Sequence, residues 1–445
     1  MAGSSAADGL NTRAEDSGTD AIGPGMRRRA IVASVVGNFV EWYDFSVYAY
    51  FAVVMAPLFF PSHDPTAGLL ATFAVFGLAF LFRPIGALIF GRLGDRIGRR
   101  LTLAIVVLIM SGATAAIGVL PTYEQMGIAA PVLLVLARAL QGLSAGGEYA
   151  TATSYLVENS PPGRRGLTGS WTYSGIGLAL LLGAALGATA SATLPPDALA
   201  AWGWRAVFLL GAPLGIVGFY LCTKLEDSPD FVALKARNLV ADSPLLSSLR
   251  TQMGNLVLTI GLVVVGTAQV YLVLLYMPTH LSARAGFSLP QALLINSIGL
   301  AVFTVVVPFV GRWSDAVGRR WMMIAAAIVP AVAAYPSFLL IFSKSFAGAV
   351  AGQLILAVST ALWAGAAPTA LVEIFPTRLR ASSLSIGYSV AVSVFGGFSP
   401  LLVTYLSAVS DALLAPVLYL VIAAAISLVA ALFMRETARG ELAST

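Results

Sequence analysis

The chain has 445 residues, 58% of them hydrophobic and only 11% charged. A water-soluble protein carries about a quarter charged residues, so these proportions exclude an ordinary soluble domain and point to an integral membrane protein. The single cysteine, Cys222, excludes an intrachain disulfide, and two isolated histidines, His63 and His280, give no metal-ligand cluster.

Residues 1–29 are polar and rich in Gly, Ser, Ala and Asp, and are expected to form a disordered cytoplasmic tail. Arg27, Arg28 and Arg29 followed by "AIVASVV" imitate a signal peptide. The apolar run that follows has no small-residue cleavage site, so a retained first span is expected. A helix needs about 20 apolar residues to cross the roughly 30 Å hydrocarbon core. Candidate spans lie near 30–56, 67–91, 99–120, 128–157, 165–192 and 204–223, then near 252–282, 289–311, 319–342, 346–373, 381–407 and 412–434. Turns between them carry Pro57, Pro61, Pro121, Pro161 and Pro162. The predicted fold is therefore all-α and membrane-embedded, with about twelve helices. A six-helix half over 30–223 is followed by a charged linker at 224–251, a second half over 252–434 and a short cytoplasmic tail at 435–445.

The basic residues orient this scheme. With both termini inside, 26 Lys and Arg residues fall on the cytoplasmic side except Arg205, Arg284 and Lys344, outside, and Arg83 and Arg138, within spans. That is the positive-inside pattern of a multi-pass protein of the cell membrane. It accounts for the net charge of +5 without a nucleic-acid partner.

The chain also repeats itself. "GRLGDRIGRR" at 91–100 recurs as "GRWSDAVGRR" at 311–320, identical at six of ten positions, and "VENSPPGRRG" at 157–166 has a looser counterpart in "VEIFPTRLRA" at 372–381. Parallel repeats in a twelve-span protein are a mark of transporters. Gly91, Gly94 and Gly98 suit a tight turn there, and Asp95 can accept hydrogen bonds from a helix N-terminus or an arginine.

The loop G-x-x-x-D-R-x-G-R-R resembles the signature loop of the major facilitator superfamily. "GNFVEWYDFSVYAY", "FLFRPIGALIFGRLGDRIGRR", "RALQGLSAGGEY" and "YMPTHL" resemble its metabolite:proton symporters, which include proline/betaine, α-ketoglutarate, citrate and shikimate importers. The resemblance covers roughly residues 30 to 436. It implies a cytoplasmic gate that latches the two halves. The expected members are Gly91, Asp95, Arg96, Arg99, Glu158, Arg164, Asp315, Arg319, Glu373 and Arg380, with Glu158 beside Arg164 or Arg165 and Glu373 beside Arg380.

Five charges interrupt the apolar spans: Glu41, Asp44, Arg83, Arg138 and Glu148. An Asp, Lys or Arg at a helix centre costs about 2.5–3.5 kcal/mol on insertion scales, so each is a functional candidate. Gly37, Glu41, Asp44 and Tyr48 share one helical face, as do Arg138, Gln141, Ala145 and Tyr149. Gly142 and Gly146 have the small-xxx-small spacing that permits close helix approach. All five charges lie in the first half. By the repeat offsets, Arg83, Arg138 and Glu148 fall opposite Phe303, Gln353 and Trp363, an asymmetry that favours function over architecture. Three acids against two arginines leave one net negative charge, which a single proton neutralises. Glu41, Asp44 and Glu148 are therefore the expected proton-coupling group.

Arg83 and Arg138 suit a substrate carboxylate. Gln141, Tyr43, Tyr48, Gln269, Tyr271, Tyr276, Trp363 and Tyr388 are further candidates to line the cavity, and Tyr43, Tyr48 and Trp363 could face a quaternary ammonium. No nucleophile–base arrangement or phosphate loop stands out, so neither an enzyme nor a cofactor is expected. The expected function is proton-coupled import of a small carboxylate-bearing metabolite by alternating access, either an organic acid such as α-ketoglutarate or citrate or a zwitterionic osmolyte such as proline or glycine betaine. The alternatives are a drug/proton antiporter of the same superfamily and a transport-inactive membrane sensor. The expected partners are the substrate, a proton and the bilayer; no protein partner is implied.

Overall fold

The structure is a computed structural model of the chain. It describes residues 24–97, 99–146, 148–161, 163–223, 251–377, 379–410, 413–438 and 440, with side chains from Gly37 onward except at 91, 92, 94–96, 99 and 100. The sequence expectations for the tail before Pro24 and for the linker at 224–250 lie outside the described residues.

The described residues are helical, without strands. The first helix, Pro24–Tyr50, starts ahead of the expected residue 30, turns at Phe51 and continues as Ala52–Phe59. Among the described residues, eleven helices that follow it are long and apolar enough to cross a membrane. The second runs as Pro65–Leu81 and Arg83–Ile97, the third as Arg99–Val119, and the fourth as Ala129–Ser144 and Glu148–Glu158. The fifth is Arg165–Thr193, and the sixth includes Trp204–Leu209 and Gly211–Thr223. The seventh, Met253–Ala283, carries a π-helical stretch at Val270–Tyr276. The eighth is Leu289–Val317, the ninth Arg319–Ile341 and the tenth Phe346–Glu373. The eleventh, Arg380–Val409, has a second π-helical stretch at Val392–Gly397, and the twelfth is Leu414–Phe433.

Local chemistry explains several of these boundaries. Asp64 caps the second helix by accepting from the Thr66 N–H at 2.8 Å, with Pro65 at the first helical position. The repeated motif is more helical than a loop reading suggests. Its second copy stays helical to Val317, and the chain turns only at Gly318, whose φ of 110° suits glycine alone. Pro84 lacks the N–H that would bond the Phe80 carbonyl. Ser393 Oγ of the eleventh helix donates to that carbonyl instead, at 3.0 Å.

The second and fourth helices touch backbone to backbone. A Cβ at Gly142 would lie 1.9 Å from the Ala79 carbonyl oxygen, and one at Gly146 would lie 2.2 Å from that of Arg83. The small-xxx-small expectation thus corresponds to a real helix contact. The two halves meet chiefly where the fifth helix packs on the eighth, with further contact between the second and eleventh and between the first and seventh. These pairs surround the molecular centre and place the charges of the first four helices there.

Candidate functional site

At the centre, Arg83 Nη2 donates to Glu41 Oε1 at 2.6 Å, a buried ion pair between the second and first helices. One helical turn beyond Glu41, Asp44 is 1% exposed, and none of the ion pairs among the described residues includes it. Arg138 is fully buried on the fourth helix. Its Nη1 donates to Gln141 Oε1 at 2.8 Å, and Gln141 Nε2 donates to Thr114 Oγ1 at 2.6 Å. Its Nε and Nη2 have no partner. Asp44 has Thr114, Arg138 and Glu41 as its polar neighbours. Glu148 lies against the backbone of Gly37, where a Cβ would fall 2.0 Å from its Oε1, with Glu41 and Arg83 as its charged neighbours. All five intramembrane charges therefore belong to one cluster.

Aromatic rings wall this cluster. The Arg138 guanidinium carbon lies 4.3 Å from the ring centre of Tyr48, 5.1 Å from that of Phe45 and 5.1 Å from that of Phe76. Arg83 lies over Phe80 at 4.7 Å and over Phe45 at 5.0 Å. Tyr271 from the second half closes the group edge-on against Phe76 and Phe80 and tilted against Trp42. Toward one end of the bundle, Tyr149 and Tyr388, one from each half, stack with ring centres 3.9 Å apart. The Tyr388 hydroxyl lies 3.2 Å from that of Tyr173.

The other expected lining residues are placed elsewhere. The Tyr43 hydroxyl donates to the Val207 carbonyl at 2.7 Å, so its ring packs within the first half. Ser359 Oγ donates to Gln269 Oε1 at 2.9 Å within the second half. Trp363 Nε1 donates to the Leu262 carbonyl at 2.9 Å, and its ring meets Tyr173 edge-on. Tyr276 packs on Phe73 and accepts from Thr404 Oγ1 at 2.9 Å. The π-helical stretch beside it exposes carbonyls that side chains satisfy. Gln353 Nε2 donates to Val273 O at 3.0 Å, Asn296 Nδ2 to Leu274 O at 3.0 Å, and Tyr50 Oη, from the other half, to Leu274 O at 2.9 Å.

The end of the bundle near Arg319 is latched. Asp315 accepts from the backbone N–H groups of Gly166 and Leu167 at 2.7 and 3.0 Å, at the start of the fifth helix. It also accepts from Arg319 Nη2 at 2.8 Å. Close approach permits this: a Cβ at Gly166 would fall 2.3 Å from the Gly311 carbonyl oxygen. Glu158 pairs with Arg380 at 2.6 Å, while Glu373 pairs with Arg319 at 3.3 Å and Arg165 at 3.8 Å. In place of the sequence-near pairings of Glu158 with Arg164 or Arg165 and of Glu373 with Arg380, Glu158 takes Arg380 and Glu373 takes Arg165 across the halves, Glu373 also meets Arg319 within its own half, and Arg164 is exposed. The side chains of Asp95, Arg96 and Arg99, and the surroundings of Gly91, lie outside the described residues. Glu436 joins the latch by accepting from the Arg319 N–H at 2.8 Å, and Thr437 Oγ1 donates to Glu373 at 2.7 Å. Burial raises the Glu436 carboxyl, but the N–H groups of Ala438, Arg319, Arg320 and Thr437 outweigh that and hold it below its ordinary value.

Sequence reasoning passed over Phe45, Phe76 and Phe80, whose composition is that of any apolar span, and Thr114, a lone hydroxyl. Glu436 left a usable signal as the first acid after the last span.

Two six-helix halves, a sealed central charge cluster and a latch between the halves at one end define a secondary transporter of the alternating-access type, not an enzyme. The chain matches the family described as "Sugar (and other) transporter" over residues 29–256 and again over 242–444, and it belongs to that family. It is 37% identical over 430 residues to the glycine betaine/proline/ectoine/pipecolic acid transporter OusA of Dickeya dadantii, covering 95% of this chain and 86% of that one. The proline/betaine transporter of Escherichia coli K12 matches with the same identity and coverage. The ectoine/proline transporter of Corynebacterium glutamicum is 34% identical, at 95% and 86% coverage. In fold, the chain is similar to the proton:xylose symporter XylE bound to 6-bromo-6-deoxy-D-glucose, with a TM-score of 0.74, 19% identity and coverage of 94% and 98%.

Proposed function

We propose that this transporter carries a zwitterionic osmolyte of the glycine betaine or proline kind into the cell together with a proton. Both termini are assigned to the cytoplasm by the Lys and Arg distribution, which makes the Arg319 end the cytoplasmic gate. One observation carries the substrate reading: Arg138 alone of the two central arginines lacks a carboxylate partner, and its Nε and Nη2 are unpartnered. A substrate carboxylate supplies the missing acceptors through charge-assisted hydrogen bonds. Arg83 is already neutralised by Glu41, so the site offers one carboxylate position rather than two. That favours a monocarboxylate zwitterion over α-ketoglutarate or citrate, in line with the proline, betaine and ectoine for which the similar transporters are named.

The coupling proton is assigned to Asp44. An ionised carboxylate buried without an ion-pair partner costs several kcal/mol, and protonation removes that cost. Glu41 already has an ion-pair partner in Arg83, at 2.6 Å. When the site opens to release the substrate, water reaches Asp44, relieves the cost of its buried charge and takes up the proton on the same side. The test is uptake into proteoliposomes with an imposed inward proton gradient, using glycine betaine, proline, α-ketoglutarate, citrate and shikimate. Gradient-stimulated uptake of betaine or proline is expected; stimulation confined to a di- or tricarboxylate would refute the reading.

A further inference from the structure

We propose that Phe45, Tyr48 and Phe76 form the seat for the substrate's ammonium group, and that Arg138 is the resident cation that fills this seat until substrate arrives. The inference rests on the zwitterion reading above and goes further, by assigning the rings that recognise the positive end.

The geometry points to it in three ways. First, three aromatic faces converge on one guanidinium, with its carbon 4.3–5.1 Å from the ring centres, within the range of cation–π attraction. Second, that guanidinium is poorly held by anything else. Its single hydrogen bond goes to the neutral Gln141, and two of its nitrogens have no partner. Arg83, by contrast, has a carboxylate at 2.6 Å besides its rings. Third, the rings come from the first and second helices and the arginine from the fourth, so the side chain can leave without dismantling the cage. Phe45 and Phe76 brace each other edge-on, and Tyr48 stacks on Phe76. The Tyr48 hydroxyl is anchored to the Thr72 carbonyl at 3.0 Å.

A zwitterion exchanges naturally with such a cation. Its carboxylate offers Arg138 the acceptors it lacks and draws the guanidinium off the rings. Its ammonium, a few bonds away, then takes the vacated place. A cation replaces a cation on the rings, and the new ion pair is neutral, so the charge of the buried site does not change. A carboxylate with an uncharged tail would leave Tyr48 and Phe76 without a cation, and a dicarboxylate would add an unpaired negative charge. The seat therefore selects for an ammonium as well as a carboxylate. It replaces Tyr43 and Trp363, whose polar atoms are committed to Val207 and Leu262, as the aromatic element of recognition.

The full chain in proteoliposomes, under a fixed proton gradient, tests this. Phe76→Leu should raise the KM for glycine betaine about tenfold, with a smaller change in maximal rate. Replacing Phe76 by 3,4,5-trifluorophenylalanine keeps the ring's shape but weakens its negative face, and should raise KM about three- to tenfold. 3,3-Dimethylbutyrate, the uncharged-tail isostere of glycine betaine, should compete at least a hundredfold more weakly than betaine. An unchanged betaine KM in the fluorinated protein, or equal competition by the isostere, would overturn the seat while leaving transport intact. A wild-type protein that takes up neither betaine nor proline would overturn the zwitterion reading and the seat with it.

Discussion

Asp315→Asn is the sharpest test of the latch. The Asp315 carboxylate, on the eighth helix, holds two backbone N–H groups at the start of the fifth helix, Gly166 at 2.7 Å and Leu167 at 3.0 Å. The two helices belong to different halves, so these bonds exist only while this end is closed. Asparagine keeps one acceptor oxygen and turns an NH2 toward the other N–H. One charge-assisted bond is lost and one becomes neutral. Charged bonds contribute about 1.5–3 kcal/mol each and neutral ones about 0.5–1.5 kcal/mol, so even near the low ends of these ranges the closed state should lose at least about 2 kcal/mol. At 1.4 kcal/mol per factor of ten, that is a roughly thirtyfold rise in the open-to-closed ratio. The readout is maleimide labelling of Thr369→Cys in a Cys222→Ser background, from the cytoplasmic side. Thr369 is buried at the seam, with its hydroxyl donating to the Arg165 carbonyl at 2.9 Å, and Cys222 is the native cysteine removed. Labelling should accelerate about thirtyfold with thermal stability little changed. A change below about threefold would refute the assignment of Asp315 to the latch.

Asp44→Asn should abolish the stimulation of uptake by a proton gradient while leaving substrate exchange at zero gradient, measured in the same vesicles. Gly86→Ala should destabilise the protein by about 3 kcal/mol or more, because its Cβ would fall 1.8 Å from the Leu143 carbonyl oxygen. Gly112→Ala, facing open space, should be neutral or stabilising by up to about 1 kcal/mol; melting in detergent compares them. Glu436→Gln should speed Thr369→Cys labelling by the same factor at every pH from about 6 to 8. A carboxyl held below its ordinary value of 4.5 contributes fully above that value and loses its contribution only as pH falls through its lowered pKa. A labelling ratio that shrinks between those pH values would contradict the assignment.

Much of the site was legible because a membrane makes charge conspicuous. Glu41, Asp44, Arg83, Arg138 and Glu148 stand out against lipid-like spans, and the structure brings them into one cluster. Partner choice was not legible. Glu158 meets Arg380, 222 positions away, because the pairing depends on which helices the halves bring together, and sequence proximity carries no information about that. The recognition rings were hidden for the opposite reason: phenylalanine is ordinary in an apolar span, and only its position over a guanidinium sets Phe76 apart. The π-helical stretches escaped notice because their sequences, "VYLVLLY" and "VSVFGG", fit an α-helix equally well. What distinguishes them is the carbonyls taken by side chains of other helices: Val273 and Leu274 by Gln353, Asn296 and Tyr50, and Phe395 by Tyr419.

The distribution of charge between the halves bears on how the transporter moves. Among the described residues, the central ion pair, Glu41 with Arg83, lies wholly within the first half. At that depth the halves touch through rings, such as Tyr271 on Phe76 and Phe80, and through neutral hydrogen bonds, such as Ser393 to the Phe80 carbonyl. The ion pairs that cross between halves, Arg380 with Glu158 and Arg165 with Glu373, lie at the latch, where Glu158 and Arg165 retain side-chain exposures of 32% and 21%. Breaking a buried ion pair costs about 3–5 kcal/mol, because it strands a charge in a dry interior, whereas a neutral hydrogen bond contributes about 0.5–1.5 kcal/mol. With the charges sorted this way, the halves can part at the centre without stranding a charge, and the ions that separate at the rim pass into water. A charge pair engineered across the central seam should therefore slow transport more than any single loss at the latch speeds opening.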